Sequence, residues 1–222
     1  MFCIVNRNLQ LSIFTFAMEK SKKINAKLLA VDVAECAIFV ALMTAGAFIK
    51  IPFPLVPLTF QTVICVLAGL LLGWKKGAIS MAVYCFMGLV GIPVFASGGG
   101  IFYVLMPTFG YIIGFVVAAL VAGLIGGKAG LPVWRYMVAA VAAFISNYAV
   151  GVPYCMVVVY LQGMNDLLTV FITWNLYYMP KDLVLCLLAA VLAWRVLPHI
   201  KNGRNKLKQT ANTEKEEKND SN

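Results

Sequence analysis

Charge is what this sequence has least of. Only 12% of its 222 residues are Asp, Glu, Lys or Arg, and just nine are acidic. A soluble domain carries about a quarter. Histidine occurs once, as His199, beside Pro198 and past the last apolar block. An intramembrane protease that joins a serine to a histidine is therefore excluded. The six cysteines, Cys3, Cys36, Cys65, Cys85, Cys155 and Cys186, form no CxxC pair and read as small apolar packing residues. Neither a disulfide framework nor a zinc site can be read from them. No phosphate-binding loop is present either. Its nearest approach, Gly126-Gly127-Lys128-Ala129, lacks the glycine five positions before Gly127 and has alanine where a hydroxyl would hold magnesium. Asp32 and Glu35 are carboxylates at helical spacing near one end of the first apolar block, where solvent or a basic neighbour satisfies them. These absences argue against an enzyme, against ATP hydrolysis by the chain itself, and against a bound cofactor or metal.

What is there is hydrocarbon. Hydrophobic residues make up 62% of the chain, and the mean hydropathy is +0.87. They gather into six blocks without the sustained period-two alternation of a membrane barrel. Backbone in lipid must satisfy its own hydrogen bonds, so the blocks are read as helices. They fall near 28–49, 59–74, 77–92, 108–127, 134–161 and 180–198. The expected fold is all-α, one polytopic domain of six transmembrane helices over residues 27–200. The second and third helices are short for a bilayer core of about 30 Å.

The net charge of +9 would suit nucleic acid if it were spread over one face, but its distribution says otherwise. The N-terminal segment holds Arg7, Lys20, Lys22, Lys23 and Lys27. Lys75 and Lys76 follow the second block, and Lys128 and Arg135 follow the fourth. The C-terminal end holds Arg195, Lys201, Arg204, Lys206, Lys208, Lys215 and Lys218. Only Lys50 and Lys181, of eighteen Lys and Arg, fall on the other side. The positive-inside rule then puts both termini in the cytoplasm and makes the chain a multi-pass protein of the cell membrane. Its expected partner is the lipid bilayer, not nucleic acid. Residues 1–26 read as a basic cytoplasmic leader with Met18 as the true start, and residues 201–222 as a disordered polar tail.

Small residues mark two helix faces. Ala30, Ala34, Ala37, Ala41 and Ala45 make a stripe on the first helix, and Gly110, Gly114, Ala118, Ala122 and Gly126 make one on the fourth. Such stripes let helices approach closely. Contact inside the bundle is the simpler use on the fourth helix; docking onto another membrane subunit is the alternative on the first.

The outward gaps are poor in charge. Ile51-Pro52-Phe53-Pro54-Leu55-Val56-Pro57 is held extended by three prolines. In Ala96-Ser97-Gly98-Gly99-Gly100 the glycines let the backbone curl and expose amides. Irregular backbone at membrane depth is tolerated where it lines a cavity, so an outward pocket roofed by these loops is expected. Residues 167–179 are apolar and aromatic. A seventh span there would carry the cationic C-terminal end outside, so an interfacial or re-entrant helix is preferred. It leads into Pro180-Lys181-Asp182, where proline suits the first helical turn and the helix dipole favours the acid. Asp182 reads either as a stabiliser of that helix start or as an acceptor for a polar ligand.

Several segments, in order, resemble the BioY family, the biotin-binding S components of energy-coupling factor transporters. They are Ile51-Pro52 with Val56-Pro57-Leu58-Thr59-Phe60-Gln61, Leu67-Ala68-Gly69 with Leu72-Gly73, Gly91-Ile92-Pro93-Val94-Phe95, Pro107-Thr108-Phe109-Gly110-Tyr111 and Pro180-Lys181-Asp182. The resemblance implies a six-helix protein that captures biotin from outside. Delivery inward would come by docking with a separate transmembrane coupling subunit and two ATPase subunits. It assigns Asp182 to the ureido ring of biotin, the glycine-rich loop at Ser97, Gly98 and Gly99 to the pocket, and Ala37, Ala41 and Ala45 to the docking face. Gln61, Phe95, Tyr103, Tyr111 and Lys181 complete the expected binding set, with the aromatic residues as walls for the apolar chain. Two departures stand out. Leu185 takes the place where members often have lysine, with Lys181 as the substitute charge, and the glycine-rich loop has no asparagine and is one residue shorter. An S component for another vitamin, or a self-sufficient secondary transporter, is the alternative.

Overall fold

The computed structural model describes residues 29–51, 58–164, 166–176 and 178–220. The basic leader and the choice of Met18 as start lie outside the described residues. Of the described residues, those within Cys36–Arg204 form one compact unit, and 29–35 and 205–220 belong to another.

Six helices follow the six apolar blocks: α1 Leu29–Phe48, α2 Gln61–Leu72, α3 Trp74–Leu89, α4 Phe109–Gly126, α5 Val133–Leu161 and, after a five-residue α6 at Leu167–Phe171, α7 Met179–Asp220. Four stretches are long and apolar enough to cross a membrane, Leu29–Phe48, Phe109–Gly126, Val133–Leu161 and Met179–Asn205. At 1.5 Å per residue the 12 residues of α2 and 16 of α3 reach only about 18 and 24 Å. Gly73 alone separates them, at φ +82°, so Lys75 and Lys76 sit in the first turn of α3, not in a gap before it.

The paired strands among the described residues form a two-residue antiparallel ladder. It joins β1 (Lys50–Ile51) to β2 (Leu58–Thr59), with Lys50 opposite Thr59. It closes the base of the proline-rich link, whose residues 52–57 are outside those described.

Helix α4 is the axis of the compact unit. Its small-residue series, Gly110, Gly114, Ala118, Ala122 and Gly126, is buried throughout, so this stripe serves the bundle. A β-carbon on Gly110 would come within 2.4 Å of Tyr154 Cβ on α5. On the opposite side, one on Gly69 of α2 would lie 2.3 Å from the Ala119 carbonyl oxygen. That neighbour is backbone and cannot swing aside. Gly69→Val is accordingly expected to lower stability by about 3 kcal/mol, the upper range for overpacking. Gly203→Ala, with nothing within 4 Å, serves as the control. A melting temperature in detergent equal to that of the control would contradict the close approach. The stripe on α1 behaves oppositely: Ala37, Ala41 and Ala45 are exposed, while Val40, Met43 and Ala47 on the neighbouring face are buried.

Two connections shape one end of the bundle. Gly91, Gly98 and Gly100 take φ values of +108°, +111° and +113°, which side-chain-bearing residues rarely adopt. The chain curls back between paired Phe95 and Gly98 bonds (2.9 and 3.1 Å) and runs into a 3₁₀ turn at Ile101–Leu105. The end of α5 holds that turn, through Tyr154 Oη to the Val104 carbonyl and Gln162 Nε2 to the Leu105 carbonyl at 3.1 Å. Residues 167–176 form α6 and a π turn at Ile172–Leu176. Ten residues reach about 15 Å, too short for a seventh span. Asp166 caps α6, accepting from Thr169 Oγ1 at 2.6 Å and Thr169 N at 3.1 Å. The Thr169 side chain, then its amide, hold the Asp166 carboxyl below the usual carboxylate range.

Beyond Lys201, where composition suggests a disordered tail, the backbone of α7 is helical to Asp220. Lys and Glu, good helix formers, supply eight of residues 201–220, and no proline stops the helix.

Candidate ligand cavity

The glycine-rich connection, β2, the starts of α2, α4 and α7 and the middle of α5 surround a cavity of about 730 Å³, counting the open space at its mouth. Thr59, Gln61 and Thr62 face it from β2 and α2, and Ala96 and Ser97 from the glycine-rich loop. Tyr103, Thr108, Tyr111, Ile112 and Phe115 form a wall from the 3₁₀ turn and α4. Asn147 and Tyr148 enter from α5, and Tyr178, Lys181 and Asp182 from the start of α7.

Asp182 is the only acidic residue in this lining, and it is 8% exposed. It stands in the first turn of α7, where free backbone N–H groups favour an anion. Its Oδ2 accepts from Tyr148 Oη at 2.8 Å and from Thr62 Oγ1 at 3.5 Å. Lys181 Nζ lies 2.7 Å from Oδ1 but is not aligned for a hydrogen bond, and Oδ1 has no other partner. Lys181 also donates to the Thr59 carbonyl at 3.2 Å, which ties α7 to the ladder. One carboxylate oxygen is therefore fixed by hydroxyls and the other remains available as an acceptor, its charge balanced by the adjacent ammonium.

The aromatic wall is fixed from behind. Gln61 Nε2 donates to Tyr84 Oη at 2.7 Å, and Tyr84 Oη donates to the Val94 carbonyl at 3.0 Å. The root of the glycine-rich loop is thereby pinned to α2 and α3. Tyr111 packs edge-on to Tyr148, with ring centroids 5.5 Å apart, and its hydroxyl donates to Asn175 Oδ1 in the π turn.

Six of the nine residues expected to bind ligand line the cavity: Gln61, Ser97, Tyr103, Tyr111, Lys181 and Asp182. Lys181 does so although it is one residue from Asp182, because its four-carbon stem reaches back along the helix start. The other three are placed elsewhere. Phe95 is fully buried, its ring over Gly88 and 4.6 Å from that of Tyr103, so it supports the wall from behind. Gly98 and Gly99 are not in the lining. Gly98 makes the turn, and a β-carbon on Gly99 would lie 2.3 Å from the Ile92 carbonyl oxygen. Their places at the cavity go to Ala96 and Ser97. Asn147, Tyr148, Thr62, Thr108 and Tyr178 were missed. Asn147 had a legible signal, since an amide in the middle of a long apolar helix is costly without a use.

A polar cavity let into the end of an apolar helical bundle defines a membrane protein built around a small-molecule site. The BioY family model matches residues 18–202, and the chain belongs to that family. Among its relatives, a probable biotin transporter BioY of Lysinibacillus sphaericus is 45% identical over 171 residues, covering 76% of this chain and 87% of that protein. One of Pyrococcus horikoshii is 38% identical, covering 74% and 95%. The fold matches the crystal structure of the S-component for biotin from an ECF-type ABC transporter, with a TM-score of 0.58 at 24% identity, over 77% of this chain and 92% of that one.

Proposed function

We propose that this protein is the biotin-capturing membrane subunit of an energy-coupled importer, binding the vitamin in the cavity and releasing it inward. The observation that carries the reading is the divided carboxylate of Asp182. Oδ2 is held by Tyr148 and Thr62, and Oδ1 is left to accept the ureido N–H groups. The aromatic wall of Tyr103, Tyr111 and Phe115 suits the apolar chain of biotin. About 16 heavy atoms at ~0.7 kcal/mol each give ~11 kcal/mol, a Kd on the order of 10 nM.

The topology follows from charge. Lys201 Nζ donates to the Gly127 carbonyl at 3.3 Å, and Cys36 Sγ approaches the Lys76 carbonyl at 3.9 Å. The cation-bearing ends of α3, α4 and α7 thus gather away from the cavity mouth, which supports a cytoplasmic location for that end. In this reading α2 and α3 complete six membrane helices as a thin pair, both termini are cytoplasmic, and the membrane is the plasma membrane. The exposed alanine stripe of α1 supports docking with a coupling subunit, and energy comes from ATPases on other chains.

Uptake of labelled biotin separates the possibilities. Cells holding this protein with the coupling subunit and ATPases should accumulate biotin, and cells holding it alone should bind without concentrating the vitamin. Concentrative uptake by the protein alone would make it a self-sufficient carrier. No uptake of biotin in either case, with uptake of another vitamin, would overturn the substrate assignment.

A further inference from the structure

The cavity contains a second polar group that the hydrogen bonding of the fold does not use. Asn147 is 1% exposed, lies in the cavity lining, and comes from the middle of α5. Its Oδ1 has no hydrogen-bond partner among the described residues. That oxygen rests against α4 at Gly114, where a β-carbon would stand 2.3 Å from it. Any larger residue at 114 would displace the amide, so the glycine sets its position. With the oxygen turned to α4, the NH₂ edge is the part of the carboxamide that meets the cavity. A buried amide left without partners is unfavourable, and a ligand acceptor relieves the share that falls on its NH₂ edge.

The geometry points to Asn147 as a specificity-determining donor to the carbonyl oxygen of the ligand's cyclic urea, working beside Asp182. This inference rests on the biotin reading. A cyclic urea presents one acceptor flanked by two donors. Asp182 is acceptor-only while ionised, and the amide edge of Asn147, the residue next to Tyr148, supplies the opposite polarity. Together they read the urea as a pattern, where a carboxylate alone reads only N–H groups. A site built to bond a polar group rejects analogues that lack it, because its own group is then left unpaired.

The test compares biotin with 2-iminobiotin, in which an imino group replaces the ring carbonyl oxygen; at neutral pH the ring is a protonated guanidinium with donors only. Affinities for both are measured by calorimetry on the purified wild-type, Asn147→Ala and Asn147→Asp proteins. The readout is the ratio of the two affinities within each protein, which does not depend on the fraction folded. Wild type is expected to prefer biotin, and Asn147→Ala to shrink that preference about tenfold, as expected for one buried hydrogen bond. Asn147→Asp, which keeps the shape but replaces donor by acceptor, is expected to turn the preference toward the imino analogue. An unchanged ratio in both variants, or equal weakening of both ligands, would overturn the inference by showing that Asn147 acts only in packing. Failure of the wild type to bind biotin would instead defeat the function proposed above.

Discussion

Asp182→Ala is expected to weaken biotin binding by at least tenfold, measured by calorimetry on detergent-solubilised protein. The magnitude follows from the bond removed. A hydrogen bond to a charged, buried acceptor contributes about 1.5–3 kcal/mol, a factor of roughly 10 to 150 in affinity. The substitution also leaves the Tyr148 hydroxyl without its acceptor and Lys181 without its counter-charge, which adds to the loss. Asp182→Asn separates the contributions. It preserves shape and one acceptor oxygen but not charge, so its affinity should fall between wild type and Asp182→Ala. Equal affinity in all three proteins would remove Asp182 from the site.

On the proposed docking face, Ala41→Trp is expected to abolish coupled uptake and to leave biotin affinity unchanged. Ala41 is exposed in the middle of the α1 stripe and is absent from the cavity lining. An indole at this exposed position extends away from the bundle and holds off any helix that must approach to backbone contact, and close packing is the main attraction between helices in lipid. The test is paired: binding by the purified variant, and uptake of labelled vitamin by cells that also make the coupling module. Retained uptake would show that the docking face lies elsewhere. Lost binding would show that the residue acts through the fold.

The helical framework was legible because lipid leaves few alternatives. Long apolar blocks and confined cations set the six main helices and, apart from the C-terminal end of α7, their ends to within a few residues, and Gly110 and Gly114 are buried, as contact inside the bundle requires. The polar site was legible in part. Pro180-Lys181-Asp182 marks a helix start with an acid in its first turn; that local chemistry left two uses for Asp182 open, and the family resemblance chose between them. Which loop residues face inward was not legible. The curl through Gly98 and Gly100 depends on backbone torsions, and these put Ala96 and Ser97 at the cavity and Phe95 behind it. Asn147 and Tyr148 were hidden for another reason. On a 29-residue helix buried against several neighbours, apolar periodicity does not separate the cavity face from the others. The polarity of Asn147 was the better guide.

The most direct test is titration of biotin into the purified chain alone, with neither coupling subunit nor ATPase present. Saturable binding of one biotin per chain, with a Kd on the order of 10 nM, is the expected result. An absence of saturable binding, or binding that begins only when the other subunits are added, would contradict the claim that this chain by itself holds the receptor site.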